Sequence, residues 1–305
     1  MEAPPALGKS KTSLPVLGAG LATTALALLG VWAANQASDD FNIMGWYGYY
    51  VIPAGALLVG LVAGSGYGVA SWMTGVRISR NLLLAVLLLQ VAAYFVAQYI
   101  EFRHLMATYG GEDVGFFEYF DATTQSFAFK SKDGSPGDAM GGWGYIFRVL
   151  EIAGFAFGGM IAPLILRAKP YCENCQIYMR TRNLGLLPAG IKPQKIKKKD
   201  TEGQARFQQE HDAAWEKGMS DLEDLRRAGT EGKTSRFNEI LESHQLNQKE
   251  IGKLTTRIAV SLSACPSCHA GQLNAAQLSG QGDKIVREDL GASEVNPGLA
   301  REVRQ

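Results

Sequence analysis

The sequence predicts an α-helical polytopic membrane domain of four transmembrane helices, joined to a small hydrophilic α+β domain with a helical-hairpin insertion. Three observations predict it. Four stretches long enough to cross a bilayer are nearly free of charge. Charged residues are concentrated in the second half of the chain. All four cysteines also lie in that half, as two C-x-x-C pairs. The 305 residues suffice for two domains on a prior of roughly 100 to 200 residues each.

The near balance of 30 basic and 29 acidic residues averages two unlike halves. Residues 1–166 hold 8 Lys and Arg against 11 Asp and Glu, whereas 167–305 hold 22 against 18. A hydrocarbon core about 30 Å thick needs about 20 apolar residues in a helix. Residues 14–34, 47–74 and 82–100 carry no charge, and 143–166 carries only Arg148 and Glu151, near its start. Trp46, Tyr47, Tyr49 and Tyr50 open the second stretch, and Trp143 and Tyr145 open the fourth, as aromatics do at a membrane interface.

The flanking charges orient these spans, because Lys and Arg are in excess on the cytoplasmic side. Lys9 and Lys11 sit in the tail of residues 1–13, and Asp39 and Asp40 follow the first span. Arg77 and Arg80 join the second and third, and Arg167 and Lys169 leave the fourth. The 102–142 loop holds six acids against three Lys and Arg. The expected arrangement is a bacterial inner-membrane protein with both termini cytoplasmic and the acidic loop outside. Residues 9–33 also fit a signal peptide, whose removal would leave the other three spans oriented the same way.

Within the spans, Gly60, Gly64 and Gly68, and Gly154 and Gly158, repeat at every fourth position. This pattern permits close helix approach, and packing inside the bundle is the expected use. Gln90, Tyr94 and Gln98 form one stripe of the third helix that Glu101 continues, and Arg148 enters at the same level. The expectation is a structural Arg148 to Glu101 clamp, with a transport site as the alternative. In the outer loop Asp113 can cap a short helix with Phe116, Phe117 and Phe120 on its apolar face, lying on the membrane or plugging the bundle.

The hydrophilic half, 167–280, starts with Cys172 and Cys175 and closes, 89 residues further on, with Cys265 and Cys268. Two residues between cysteines let both sulfurs reach one ion, and two such turns complete a tetrahedral four-thiolate zinc site. Residues 176–182 and 254–262 read as short strands beside the pairs. Two other readings use the same cysteines less well. Cys265 to His269 spells a haem-attachment motif, but the charge pattern places it on the cytoplasmic side, and no His or Met follows. Thiol exchange would need a strand and helix unit of thioredoxin type beside a pair. His269 is expected to be an exposed neighbour, not a ligand.

CENC and CPSC resemble the paired knuckles of the zinc-ribbon family over residues 170–183 and 254–280. The usual gap between knuckles is about 15 to 20 residues, so this ribbon departs from the pattern by a large insertion. The whole chain is similar to four-helix bacterial integral membrane proteins that carry such a module, a likeness that brings no activity with it. The resemblance implies a structural zinc ion held by Cys172, Cys175, Cys265 and Cys268.

The insertion, at about 200–256, is helical by its period. Phe207, His211, Trp215, Met219, Leu222 and Leu225 share one face over 201–228, and after a break at 229–232 Phe237, Ile240 and Leu241 begin a second helix. Asn247 and Glu250 then suggest a capping-box restart. Lys192, Lys195, Lys197, Lys198 and Lys199 form a basic cluster suited to anionic lipid headgroups or to a solvated linker. A net excess of four charges leaves no broad basic face and argues against nucleic acid. Residues 281–305 lose periodicity and are expected to be a partly ordered tail.

No Ser-His-Asp set, H-E-x-x-H motif or phosphate-binding glycine loop occurs, so the sequence gives no basis for an enzyme. The expected function is a membrane-anchored zinc-binding scaffold that presents its ribbon and hairpin to a protein partner. The alternatives are a transporter or channel-like protein with a regulatory zinc domain and, behind it, a membrane thiol oxidoreductase.

Overall fold

The computed structural model describes residues 12–37, 42–49, 51–110, 114–128, 137–194, 196–197, 199–245, 247–280 and 282–304. Lys9, Lys11, Asp39, Asp40, Tyr50, Asp113, Lys195 and Lys198 lie outside them. Contacts divide the chain into two compact units that meet in sequence between Lys169 and Pro170.

The first unit is helical, with α1 (Leu14–Ala37), α2 (Ala54–Thr74), α3 (Arg80–Tyr109), α4 (Phe116–Gln125) and α5 (Gly144–Arg167). Four of these, α1, α2, α3 and α5, are long and apolar enough to cross a membrane. The expected second span begins seven residues late. Pro53 supplies no N–H to extend the helix backward, and Gly48 to Ile52 closes a tight turn instead. α3 is capped by Ser79, whose hydroxyl accepts from the Leu82 N–H at 3.2 Å. It runs nine residues past the apolar stretch because Phe102 packs there on Phe116 and Tyr119 of α4.

The glycine stripes are packing surfaces, as the sequence suggests. A methyl group on Gly60 or Gly64 of α2 would collide with the backbone of Phe155 or Gly159 in α5, and one on Gly158 with Leu57. Between α1 and α2, the Thr23 hydroxyl donates to the Ala63 carbonyl at 2.8 Å. α4 packs on α3 and α5 at the bundle end where Glu101 lies, with Phe120 turned into the core and Phe117 83% exposed. The cap position is Gly115.

The second unit holds β1 (Tyr171–Cys172), β2 (Ile177–Tyr178), β3 (Arg180–Pro188), α6 (Thr201–Glu231), α7 (Thr234–Gln245), α8 (Gln248–Ile251), β4 (Thr256–Ala264), β5 (Gly271–Ser279), β6 (Val286–Val295) and α9 (Pro297–Arg304). β1 and β2 form a small hairpin, and β3-β4-β5-β6 an antiparallel sheet in that order. Ile258, Val260, Leu262 and Ala264 alternate along β4 onto one face, where Leu222 and Leu225 of α6 and Phe237, Ile240 and Leu241 of α7 cover them. The insertion leaves after Pro188 and returns just before Arg257, and those two residues pair across the β3 to β4 ladder. It therefore lengthens the tip of a hairpin without disturbing the strands at the cysteine end.

Two expectations are corrected here. Of the expected partly ordered tail, 281–305, Val286–Val295 forms β6 and Pro297–Arg304 forms α9, and Val295, Leu299 and Ala300 join the core. Gly229 is no helix break. It lies against Val295 and Phe237, its carbonyl accepts from the Asn296 N–H at 2.9 Å, and α6 ends at Gly232 in the left-handed region. Asn247 precedes α8 but makes no side-chain cap. Both sheet edges are partly covered. Gln248 accepts from the Leu186 N–H at 2.8 Å and donates to the Leu186 carbonyl at 3.0 Å, standing in for a fifth strand beside β3. Arg226 donates to the Leu290 carbonyl of β6 at 2.9 Å.

Candidate metal centre and buried polar cluster

Each cysteine pair lies in the turn of a hairpin. Cys172 pairs with Ile177 across β1 and β2, and Ala264 with Gly271 across β4 and β5, so Cys172 to Cys175 and Cys265 to Cys268 fill the two loops. Both turns use the same device. The residue after the second cysteine is left-handed, Gln176 at φ 52° and His269 at φ 59°. Such a residue is uncommon outside glycine and lets the chain double back around the sulfurs. The β3 to β4 ladder brings the loops together, because Arg180 opposite Ala264 fixes both at one end of the sheet.

The four Sγ atoms lie within 4.8 Å of one another, and Cys172 and Cys268 are 3.6 Å apart. A tetrahedral zinc with bonds near 2.3 Å separates its sulfurs by about 3.8 Å. A disulfide would need about 2.05 Å. Four soft donors, with no fifth ligand grouped with them among the described residues, fit a thiophilic cation in a closed site. Cys172 and Cys265 are buried, Cys175 is half-buried and Cys268 is exposed.

The sulfurs also differ electrostatically. Burial pushes the Cys172 thiol up to about 12, against the pull of the Cys175 N–H, and burial raises Cys175 as well. Burial opposes ionisation of Cys268 too, but the Ala270 N–H and hydrogen bonds from Cys175, Cys265 and Cys172 outweigh it and bring that thiol to about 7. Cys268 thus gives up its proton more readily than Cys172 and Cys175, which hold theirs. A bound cation would displace those protons. His269 is half-buried, contrary to its expected exposure, and contributes the turn, not a donor atom to the four-sulfur group.

The third-helix stripe is brought together as expected, with Gln90, Tyr94 and Gln98 fully buried inside the bundle. The expected Arg148 to Glu101 clamp is not formed. Arg148 pairs with Glu151 at 2.9 Å, three residues along its own helix, and donates to Gln98 Oε1 at 3.2 Å, Thr124 Oγ1 at 3.1 Å and Thr123 Oγ1 at 3.0 Å. Its guanidinium also stands 5.1 Å over the Phe120 ring. Glu151 is 1% exposed and accepts from the Tyr94 hydroxyl at 2.8 Å and the Tyr47 hydroxyl at 3.1 Å. Glu101 accepts instead from Asn42 Nδ2 at 2.6 Å. Sequence reasoning named both Arg148 and Glu151 but not their pairing. Their i, i+3 spacing was the available signal.

Of the basic cluster, Lys192 pairs with Glu250 at 3.1 Å, and Lys197 and Lys199 are exposed. His211 donates to or accepts from Thr256 Oγ1 at 3.0 Å, and His244 faces Asp221 at 3.3 Å, both on the helical layer and apart from the cysteines. No family model matches the chain, and no curated protein and no solved structure matches it either.

Proposed function

We propose that the chain is a membrane-anchored zinc-binding interaction protein. Its four apolar helices hold it in the bacterial inner membrane, and a cytoplasmic zinc ribbon with the α6 and α7 hairpin is presented to a protein partner. The observation that carries this reading is the closure of the cysteine site. Two hairpin turns converge four sulfurs within 4.8 Å, as many donors as a tetrahedral ion takes. Closed four-thiolate sites are structural, and open ones are catalytic. Zinc held there ties the first turn to the second across the 89-residue interval, so the helical hairpin and the sheet act as one rigid surface. The Lys192 to Lys199 segment adds an attraction for anionic lipid headgroups.

A photo-crosslinking residue placed along exposed positions of α6 and α7 in cells tests the reading, with reporter fusions at Gly137 and Lys199. The expected result is a discrete crosslinked protein, lost in Cys172→Ser, with Lys199 cytoplasmic and Gly137 external. Crosslinks that persist unchanged in Cys172→Ser, or an external Lys199, overturn it. Transport is the second reading. It is favoured by Gln90, fully buried in α3 with neither amide atom bonded to a protein partner. Solute flux in proteoliposomes that Gln90→Leu abolishes without loss of fold would replace the first reading with this one.

A further inference from the structure

We propose that the cysteine centre is a peroxide-responsive switch, a role that rests on zinc being its resident ion. Cys268 is the sulfur attacked, and Cys172 closes the disulfide that releases the metal. The four sulfurs are unequally shielded. Met179, Ile177 and Ala270 pack with Cys172, Cys175 and Cys265, and Cys172 and Cys265 are buried. Cys265 is further fixed by its own turn, where its Sγ accepts from the Ser267 N–H at 3.4 Å and its N–H donates to the Ala270 carbonyl at 2.9 Å. Cys268 is the exposed member of the four. Metal-bound cysteines are all thiolates, and oxidation of a thiolate follows its exposure. Exposure therefore selects Cys268.

The resolving sulfur is at hand. Cys172 Sγ lies 3.6 Å from Cys268 Sγ, on the other knuckle and 96 residues away in sequence. With hydrogen peroxide as oxidant, the Cys268 sulfur attacks one peroxide oxygen, the O–O bond breaks and hydroxide leaves, giving a sulfenic acid. The Cys172 thiolate then attacks the Cys268 sulfur. An S–S bond of about 2.05 Å forms, the S–O bond breaks and a second hydroxide leaves. Two protons from solvent turn both hydroxides into water. Each sulfur has given up one electron, and peroxide has taken two. Since thiolates are the metal ligands, two of the four donors are lost and the zinc is released. The new bond joins the first knuckle to the second, so the junction the ion held stays closed after the ion leaves.

The full chain in lipid nanodiscs, reduced and with its zinc counted by elemental analysis, is titrated with hydrogen peroxide. A chromophoric chelator reads released zinc, and mass spectrometry maps a sulfenic-acid trap and the disulfides. Bound zinc is expected to fall from about one per chain to near zero. The trap should label Cys268 first, and the disulfide should join it to Cys172. Limited proteolysis should find the segment around Cys172 still protected in the oxidised chain, and dithiothreitol with added zinc should restore the ion. Cys268→His keeps a three-sulfur, one-imidazole donor set and should retain its zinc through the same titration, whereas Cys175→His should release it as the unmodified chain does. A reduced chain without zinc overturns the resident ion and the switch together. A zinc-loaded chain that keeps its metal in excess peroxide, a first label on Cys172, Cys175 or Cys265, a disulfide confined to one knuckle, or equal release from Cys268→His overturns the switch and leaves the zinc reading standing. If Cys268→His binds no zinc, the label and the disulfide map of the unmodified chain decide between these outcomes.

Discussion

In the sheet unit Leu222, Leu225, Phe237, Ile258 and Leu273 are completely buried, as in any protein that folds by removing apolar surface from water. In the bundle Tyr67, Tyr94 and Phe155 are buried as completely, beside Ala56, Ala63, Ala97, Gln90 and Gln98, but Leu26, Trp72, Leu88 and Ile165 are more than half exposed. Exposed apolar side chains of that size suit helices that are long and apolar enough to cross a membrane. Burial of large side chains stabilises the sheet unit at about 25 cal/mol per Å². Helices surrounded by hydrocarbon would gain little that way, and close backbone contact and hydrogen bonds between buried polar groups would hold them instead. The difference teaches which perturbations each unit feels.

The largest effect should come from the metal site and stop at the unit boundary. Cys268→Ser is expected to lower zinc from about one per chain to near zero, since structural zinc supplies roughly 10–16 kcal/mol of folding energy in zinc-finger peptides. Limited proteolysis should then cut around Cys172, far away in sequence, while α2 and α5 stay intact. His269→Ala should keep the zinc. Full occupancy in Cys268→Ser, or iron with a haem absorption band, would remove the zinc assignment.

Next in size is the bundle's charge cluster. Arg148→Ala leaves Glu151 buried without its cation, at a cost of about 3–5 kcal/mol, and the Arg148→Ala, Glu151→Ala double variant should lose clearly less than the sum. The cycle with Glu101→Ala should show the smaller coupling, because Arg148 makes no hydrogen bond to that residue among those described. Detergent melting curves that rank the two couplings the other way would restore the Glu101 clamp.

The smallest effect sharpens the packing side of the contrast. Gly64→Val places a side chain into the α5 backbone and should cost about 1–3 kcal/mol, whereas Gly30→Ala, with nothing within 4 Å of its added methyl, should be silent. A dimer disrupted by Gly64→Val with no loss of monomer stability would move the glycine stripe from the bundle interior to a subunit interface.

The four apolar segments, the two cysteine knuckles and the amphipathic α6 were legible because each is a local property. Composition over about 20 residues, a spacing of two, and a repeat of three or four all survive without knowledge of the fold. β6 was not legible for the same reason. Periodicity reports burial on one face, and Val286 to Glu294 is exposed or only half-buried throughout, so this edge strand leaves no alternation to read. Only pairing with β5 makes it a strand.

The sequence by itself therefore determined which segments suit an apolar phase and which four side chains could meet at a metal. The tertiary structure decided the partners. It seated both knuckles at one end of the sheet by pairing Arg180 with Ala264, and it set Gln248 against the β3 edge. It also matched Arg148 to Glu151, leaving Glu101 to Asn42. A charge can be read from one residue. Its partner depends on which helices pack side by side and at what height, and those distances arise only when the chain closes on itself.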